Sequence, residues 1–190
     1  MKLTLPSAAL LVSFATATHA NDFAPAMQDF LSNEIRSWSN AAPIVAAINA
    51  QNERTAGYDQ SMIDELDARW RAEVGASDTP TITPVMSNEA AEFLRQKVAS
   101  AGGTITEVFI MDAQGLNVAA SDVTSDYWQG DEAKFSQTYN NGTEAVHLGE
   151  IEFDESTETY QGQISLTIVD PATGRPIGAM TVGVDAEALL

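Results

Sequence analysis

Apolar positions along the chain follow two different rhythms. From Phe23 the sequence places Met27, Phe30, Leu31, Ile35, Trp38, Ala42, Val45 and Ile48 at steps of three and four. That spacing is the stripe of a long amphipathic helix. Asp22 is suited to cap it and Pro25 to sit in its first turn. Pro43 should kink or break it, because proline lacks an N–H and clashes with the preceding turn. A second helix opens at Asp59 or Ser61, turns Ile63, Leu66, Trp70 and Val74 to one side and ends at Gly75. Residues 76–86, with Pro80 and Pro84, read as a loop. Ser87 then opens a third helix carrying Phe93, Leu94 and Val98, closed by Gly102 and Gly103.

Beyond residue 104 the period becomes two. Thr106 to Met111 and Leu116 to Ala120 flank the turn Asp112–Gly115 and form a hairpin. Ala145 to Phe153 is a third strand. From Tyr160 to Val169, Gln161, Gln163, Ser165 and Thr167 alternate with Gly162, Ile164, Leu166 and Ile168, so one face is buried and one is wet. After a turn at Asp170–Gly174, Ile177 to Val184 returns, with Gly178 and Gly183 allowing a close approach. The pattern predicts an α+β domain: a long N-terminal helix and further helices packed on a five-stranded antiparallel sheet. Between the second and third strands, Ser121 to Glu144 is a long aromatic insertion, of the kind that is usually functional or helical.

Charge and composition narrow the chemistry. The 190 residues hold 9 Lys plus Arg against 27 Asp plus Glu, a net charge of −18, and no Cys. A chain this acidic cannot neutralise a phosphate backbone, so no nucleic-acid partner is expected, nor docking on anionic lipid. Without Cys there is no disulfide, thiolate nucleophile, Cys-based zinc site or covalent haem. Lys2, the apolar run Leu3–Ala15 and small residues at Thr18 and Ala20 read as a signal peptide, cleaved after Ala20. The run is too short to span a bilayer. Cleavage would make the net charge one unit more negative and leave His147 as the sole histidine, which excludes multi-histidine metal sites. The expected product is periplasmic or secreted. Asn141-Gly142-Thr143 fits a glycosylation sequon and reads as a loop turn.

Three stretches carry a resemblance: Glu107–Asp112 with Gly115–Val118, the segment Ser121–Lys134 containing DYWQGDEAK, and the closing VDPATGRPIGAMTVGV. Together with the AINAQN and LDARWRAE helices they resemble the bacterial extracytoplasmic Cache (PAS-like, single-Cache) sensor domains. The resemblance implies one domain over residues 21–190, with a helical region at 21–103 and a PAS-like sheet at 104–190. It implies a small-ligand sensor, with the ligand between the sheet and the 121–144 segment. Cache domains usually continue into a membrane helix and an output module. This sequence ends at Leu190, so the reading expects no transmembrane output module of its own and signalling through a membrane receptor partner or a homodimer along the N-terminal helix.

The residues agree with a pocket. Asp126, Tyr127 and Trp128 set a carboxylate, a phenol and an indole side by side, which suits small-ligand recognition. Lys134, a rare cation beside aromatics, is where a ligand carboxylate would be expected. Ser121, Asp126, Tyr127, Trp128, Asp131 and Lys134 are therefore the candidate ligand-binding residues, with an amino acid or carboxylate as ligand. Four of them have a structural alternative: Tyr127 and Trp128 as core, Asp131 with Glu132 as a helix N-terminal charge pair, Lys134 as a solvated surface residue. The acids Asp122, Asp126, Asp131 and Glu132 do not follow calcium-loop spacing, and no phosphate loop or G-x-S-x-G elbow occurs. No catalytic residue, metal or cofactor is expected. The alternatives are an envelope interaction module on a non-binding Cache fold, and a hydrolase using paired carboxylates.

Overall fold

A computed structural model describes residues 23–154 and 159–190; the expected signal peptide and Asp22 lie outside them. The N-terminal stripe forms two helices, α1 (Ala24–Asn33) and α2 (Ala42–Thr55), joined through a turn of 3-10 helix at Ile35–Ser37. In one continuous helix the Pro43 ring would strike the carbonyl of the preceding turn. The chain breaks before it instead, and Pro43 sits in the first turn of α2, where a missing N–H costs nothing. Met27, Leu31, Ile35, Trp38 and Ile48 of the stripe enter one core, but past the break the buried face turns: Ile44 is buried, Ala42 is exposed and Val45 is only partly buried.

Asp59 caps α3 (Gln60–Glu73) by accepting from Met62 N–H at 2.9 Å, and Gly75 ends it with φ +77°. Residues 82–86 are not loop but a short helix, α4 (Ile82–Met86). Its start is supplied from α3. Glu73 Oε2 accepts the N–H groups of Thr81 and Ile82 at 2.8 and 3.0 Å, satisfying helix donors that have no internal partner. Asn88, not Ser87, caps α5 (Glu89–Ser100), accepting from Ala91 N–H at 2.9 Å.

The strands are β1 (Ile105–Met111), β2 (Asn117–Ala120), β3 (Val146–Leu148), β4 (Glu152–Asp154), β5 (Thr159–Asp170) and β6 (Arg175–Asp185). They form one antiparallel sheet in the order β2-β1-β6-β5-β3, with β4 also on β5. The single third strand of the sequence reading is thus two, β3 and β4, along one edge of β5. From Leu148 to Glu152 the edge advances four residues while β5 advances three, Ile164 to Gln161, so one extra residue bulges between them.

One sheet face buries Val108, Ile110, Val118, Ile164, Leu166, Ile168, Val182 and Val184 against α1, α2 and α5. Truncating any fully buried member, such as Ile164, costs about 2–5 kcal/mol. Gly178 is dictated by a close approach: a Cβ there would lie 2.0 Å from the Met111 carbonyl oxygen.

The β1–β2 turn is tied to α2 by one carboxylate. Asp112, fully buried, accepts from Gln51 Nε2 at 3.1 Å and Thr55 Oγ1 at 2.8 Å, and from the Gln114 and Leu116 N–H groups at 2.9 and 3.0 Å. Burial pushes its pKa up and these donors only partly oppose the shift. Asp112→Ala should lower unfolding free energy by about 2–4 kcal/mol in urea titrations, because it orphans buried N–H donors. The pH response has a definite sign. A raised folded pKa means the folded state holds the proton longer, so this stabilisation is complete below the unfolded pKa of about 3.9 and is lost as pH rises through the folded value. The wild type's advantage over Asp112→Asn should therefore shrink with rising pH. An advantage that grows instead would refute the assignment.

Candidate functional site

The second sheet face changes character across its width. Near β1 it is apolar: Phe109, Met111 and Ala179 pack with Trp70 of α3, Ile82 and Val85 of α4 and Phe135 of α6 (Ala133–Ser136). Toward β5 the same face carries Gln161, Gln163, Ser165 and Thr167. This row is not uniformly wet. Ser165 and Thr167 are buried, and Ser165 Oγ lies 3.0 Å from Thr181 Oγ1 on β6. Only the far end opens, into a cavity of about 460 Å³ bounded by α6, the β3–β4 edge and the sheet.

Lys134 enters this cavity from α6. Its Nζ stands 3.0 Å from Glu132 Oε2 and 3.3 Å from Gln129 Oε1, and lies over the Phe109 ring, 5.4 Å from its centroid. The sheet contributes Glu107, His147, Gln161 and Gln163. Glu107 is half-buried over Gly183, where a Cβ would meet the Glu107 side chain at 2.6 Å. Burial raises its pKa, opposed by Lys134 and a Gln163 hydrogen bond and reinforced by Asp122. A second cavity, of about 600 Å³, lies at the β2 edge between α2, α3 and α4.

The six residues nominated from sequence are divided among these places. Lys134 lines the sheet-face cavity and Tyr127 the groove at the β2 edge; the other four are in neither lining. Tyr127 stacks on Trp70, ring centroids 5.2 Å apart. Trp128 donates its Nε1–H to the Gln114 carbonyl at 2.8 Å and covers Gly130, where a Cβ would collide with the indole. Ser121 Oγ accepts from Val108 N–H at 2.9 Å, extending the β1–β2 pairing. Asp126 faces α3, 3.5 Å from Arg71, and Asp131 is exposed.

The segment holding them is fixed to the sheet edge. Asn117 N–H donates to the Tyr127 carbonyl at 3.0 Å and Gln129 N–H to the Gly115 carbonyl at 2.8 Å, so residues 127–129 cover the open edge of β2. Asp67 of α3 completes the attachment. Its Oδ1 accepts both Tyr127 and Trp128 N–H groups, at 2.9 and 3.0 Å, and its Oδ2 pairs with Arg71 at 2.7 Å.

The sequence reading did not nominate Glu107, Gln161, Gln163 or His147. A signal existed for the first three. Glu107 is a charge in register with Phe109 and Met111, and the two glutamines lie on the wet side of the β5 alternation. His147 carries no such mark.

No family model and no curated protein sequence matches the chain. Several solved structures are similar to it. The sensor domain of the V. cholerae histidine kinase DctB is 13% identical, with a TM-score of 0.39, over 87% of this chain and 55% of that one. The ligand-binding domain of the Pseudomonas aeruginosa amino-acid chemoreceptor PctC, in complex with GABA, is 15% identical, with a TM-score of 0.42, over 83% and 63%. The ligand-binding domain of the Campylobacter jejuni chemoreceptor Tlp3, in complex with 4-methylisoleucine, is 13% identical, with a TM-score of 0.40, over 85% and 64%. The chain thus spans less than two thirds of each of these, and all three are sensor or ligand-binding domains. No described helix is long and apolar enough to cross a membrane.

The Asp67 clamp is open to test. Asp67→Ala leaves the Tyr127 and Trp128 N–H groups unpartnered and should lower stability by about 2–3 kcal/mol. Hydrogen exchange at those two amides should rise before that of β5 and β6. Unchanged protection there would show that the β2 edge alone holds the segment.

Proposed function

We propose that this chain is a small-ligand-binding module of the Cache sensor type and that its ligand occupies the sheet-face cavity. The observation that carries the reading is the placement of Lys134 opposite Glu107, Gln161 and Gln163 in a cavity of about 460 Å³. That volume falls in the range used for small molecules. The lining sets one ammonium group against several carboxylates, Glu107, Glu132 and Glu152 among them. Such a lining complements a zwitterion: an amino acid whose carboxylate meets Lys134 and whose ammonium group meets the acids. The side-chain amides of Gln161 and Gln163 orient it.

In this reading residues 1–20 are an export leader, and 21–103 with 104–190 are the helical and sheet parts of one module. It works in the bacterial envelope by binding rather than by catalysis, and passes occupancy to a membrane receptor or a second copy.

Calorimetric titration with a panel of amino acids, carboxylates and amines tests the proposal. At least one amino acid should bind, and Lys134→Met and Glu107→Gln should each weaken it about tenfold or more, the scale of losing one charged contact. Affinity for an ammonium-bearing ligand should rise with pH as Glu107 ionises, since only the charged carboxylate pairs with it. No binding by any of the three classes, or unchanged affinity in Lys134→Met, would sink the proposal.

A further inference from the structure

In so acidic a chain a cation without a carboxylate is informative. Arg36, Arg69, Arg71, Arg95 and Lys134 each stand within ion-pair distance of an acid. Among the described residues Arg54, Lys97 and Arg175 do not, and of these three Arg54 is the one in the lining of a cavity described above. Its guanidinium donates to the Ala50 carbonyl at 3.1 Å and to Gln51 Oε1 at 3.5 Å, both on its own helix. Two such contacts leave most of its five donors unused. Arg54 stands on the groove of about 600 Å³ at the β2 edge, with Arg69 of α3 also in its lining.

The acid in the groove lining, Glu73, and Glu65 beside it are both already engaged. Glu65 pairs with Arg69 on the outer surface of α3. Glu73 caps α4; burial would raise its pKa, but the Thr81 and Ile82 hydrogen bonds and Arg69 hold it below the usual range. The amides of the groove are spent as well. Gln51 Nε2 donates to Asp112 and to the Leu116 and Asn117 carbonyls, and Asn88 Nδ2 to the Pro84, Val85 and Val118 carbonyls. Recognition therefore falls to the Arg54 guanidinium, with Arg69 of the lining already paired to Glu65, and to the phenols of Tyr58 and Tyr127. Burial, then Asp112 nearby, pushes the Tyr127 phenol to about 12, so it stays protonated and able to donate. These are donors for an anion, while Leu66, Val85 and Val118 supply an apolar wall.

We propose that the groove between α2, α3 and α4 is a second ligand site, taking an organic carboxylate with an aromatic or branched apolar body. Its carboxylate meets Arg54, whose planar fork matches two oxygens, and its body lies against Tyr58, Tyr127 and the apolar wall. The site shares no lining residue with the sheet-face cavity and stands or falls separately from it.

Titration calorimetry of the full chain with indole-3-acetate, phenylacetate and 4-methylpentanoate, each beside its uncharged amide, provides the test. At least one carboxylate should bind, with its amide tenfold or more weaker. Arg54→Gln should weaken that binding by a similar factor. Ala50→Trp, at an exposed position on the groove wall, should abolish it by filling the space, and Lys134→Met should leave it unchanged. Three results would overturn the proposal: no binding by any of the carboxylates, equal affinity for acid and amide, or a loss in Lys134→Met that Arg54→Gln does not show. The last would place the anion in the sheet-face cavity and leave the amino-acid reading standing.

Discussion

The arrangement of the whole molecule turns on the buried carboxylate of Asp112. It joins two parts of the chain that are distant in sequence, the C-terminal turn of α2 and the β1–β2 hairpin. Taking a carboxylate out of water is costly unless its oxygens are filled. Here two side-chain and two backbone donors fill them, and the residual penalty survives as a raised pKa. What that penalty secures is position. Gln51, held on Asp112, also reaches the Leu116 and Asn117 carbonyls, so α2 is set against the start of β2. The placement of α2 then defines one wall of the β2-edge groove.

The hairpin passes this constraint on. Gly115 lies so close to Gly130 that a Cβ on it would meet the Gly130 Cα at 2.5 Å, and its own φ is +81°. Both facts demand glycine. The contact lets residues 127–129 run along β2, and Asp67 and Trp70 fasten them to α3. Without that cover β2 would present an open edge. The aromatic insertion is thus a structural seam first. It contributes Tyr127 to the groove and Lys134 to the sheet face.

Much of this was legible in the chain. The change of period near residue 104, the caps at Asp59 and Gly75, and the turns at Asp112–Gly115 and Asp170–Gly174 are local, and local physics places them. The elements that departed from expectation depend on distant partners. Helix α4 has a proline-bearing sequence that reads as loop, and its first donors are satisfied by Glu73 from another helix. Ser165 and Thr167 alternate as a wet face should, yet they pair or lie beneath cover that only the assembled sheet provides. The site shows the same division. Lys134 stood out because it is a cation among acids, a fact of composition. Arg54 is equally rare, but its distinction is that it lines a groove with no ion-pair partner of its own, which no sequence pattern records.

The same seam bears on how the cavities respond to ligands. The Asp126 carbonyl accepts from Asn117 Nδ2 at 2.9 Å, Gln129 Nε2 at 3.0 Å and Thr124 Oγ1 at 2.8 Å. Gln129, buried, bonds Asp126 through its amide nitrogen and Lys134 through its oxygen. Lys134 is therefore held by Gln129 and Glu132 before any ligand arrives. A group so placed recognises by preorganisation: it loses little side-chain freedom when it meets an anion, but it must share its charge with Glu132. A ligand for that cavity cannot rely on its carboxylate alone. In the proposed zwitterion reading, a positive group on the ligand engages the surrounding acids. Arg54, with no such competitor, imposes no matching requirement. The two proposed sites therefore differ in charge pattern: the cation of the sheet-face cavity is folded beside an acid, and Arg54 at the β2 edge is not.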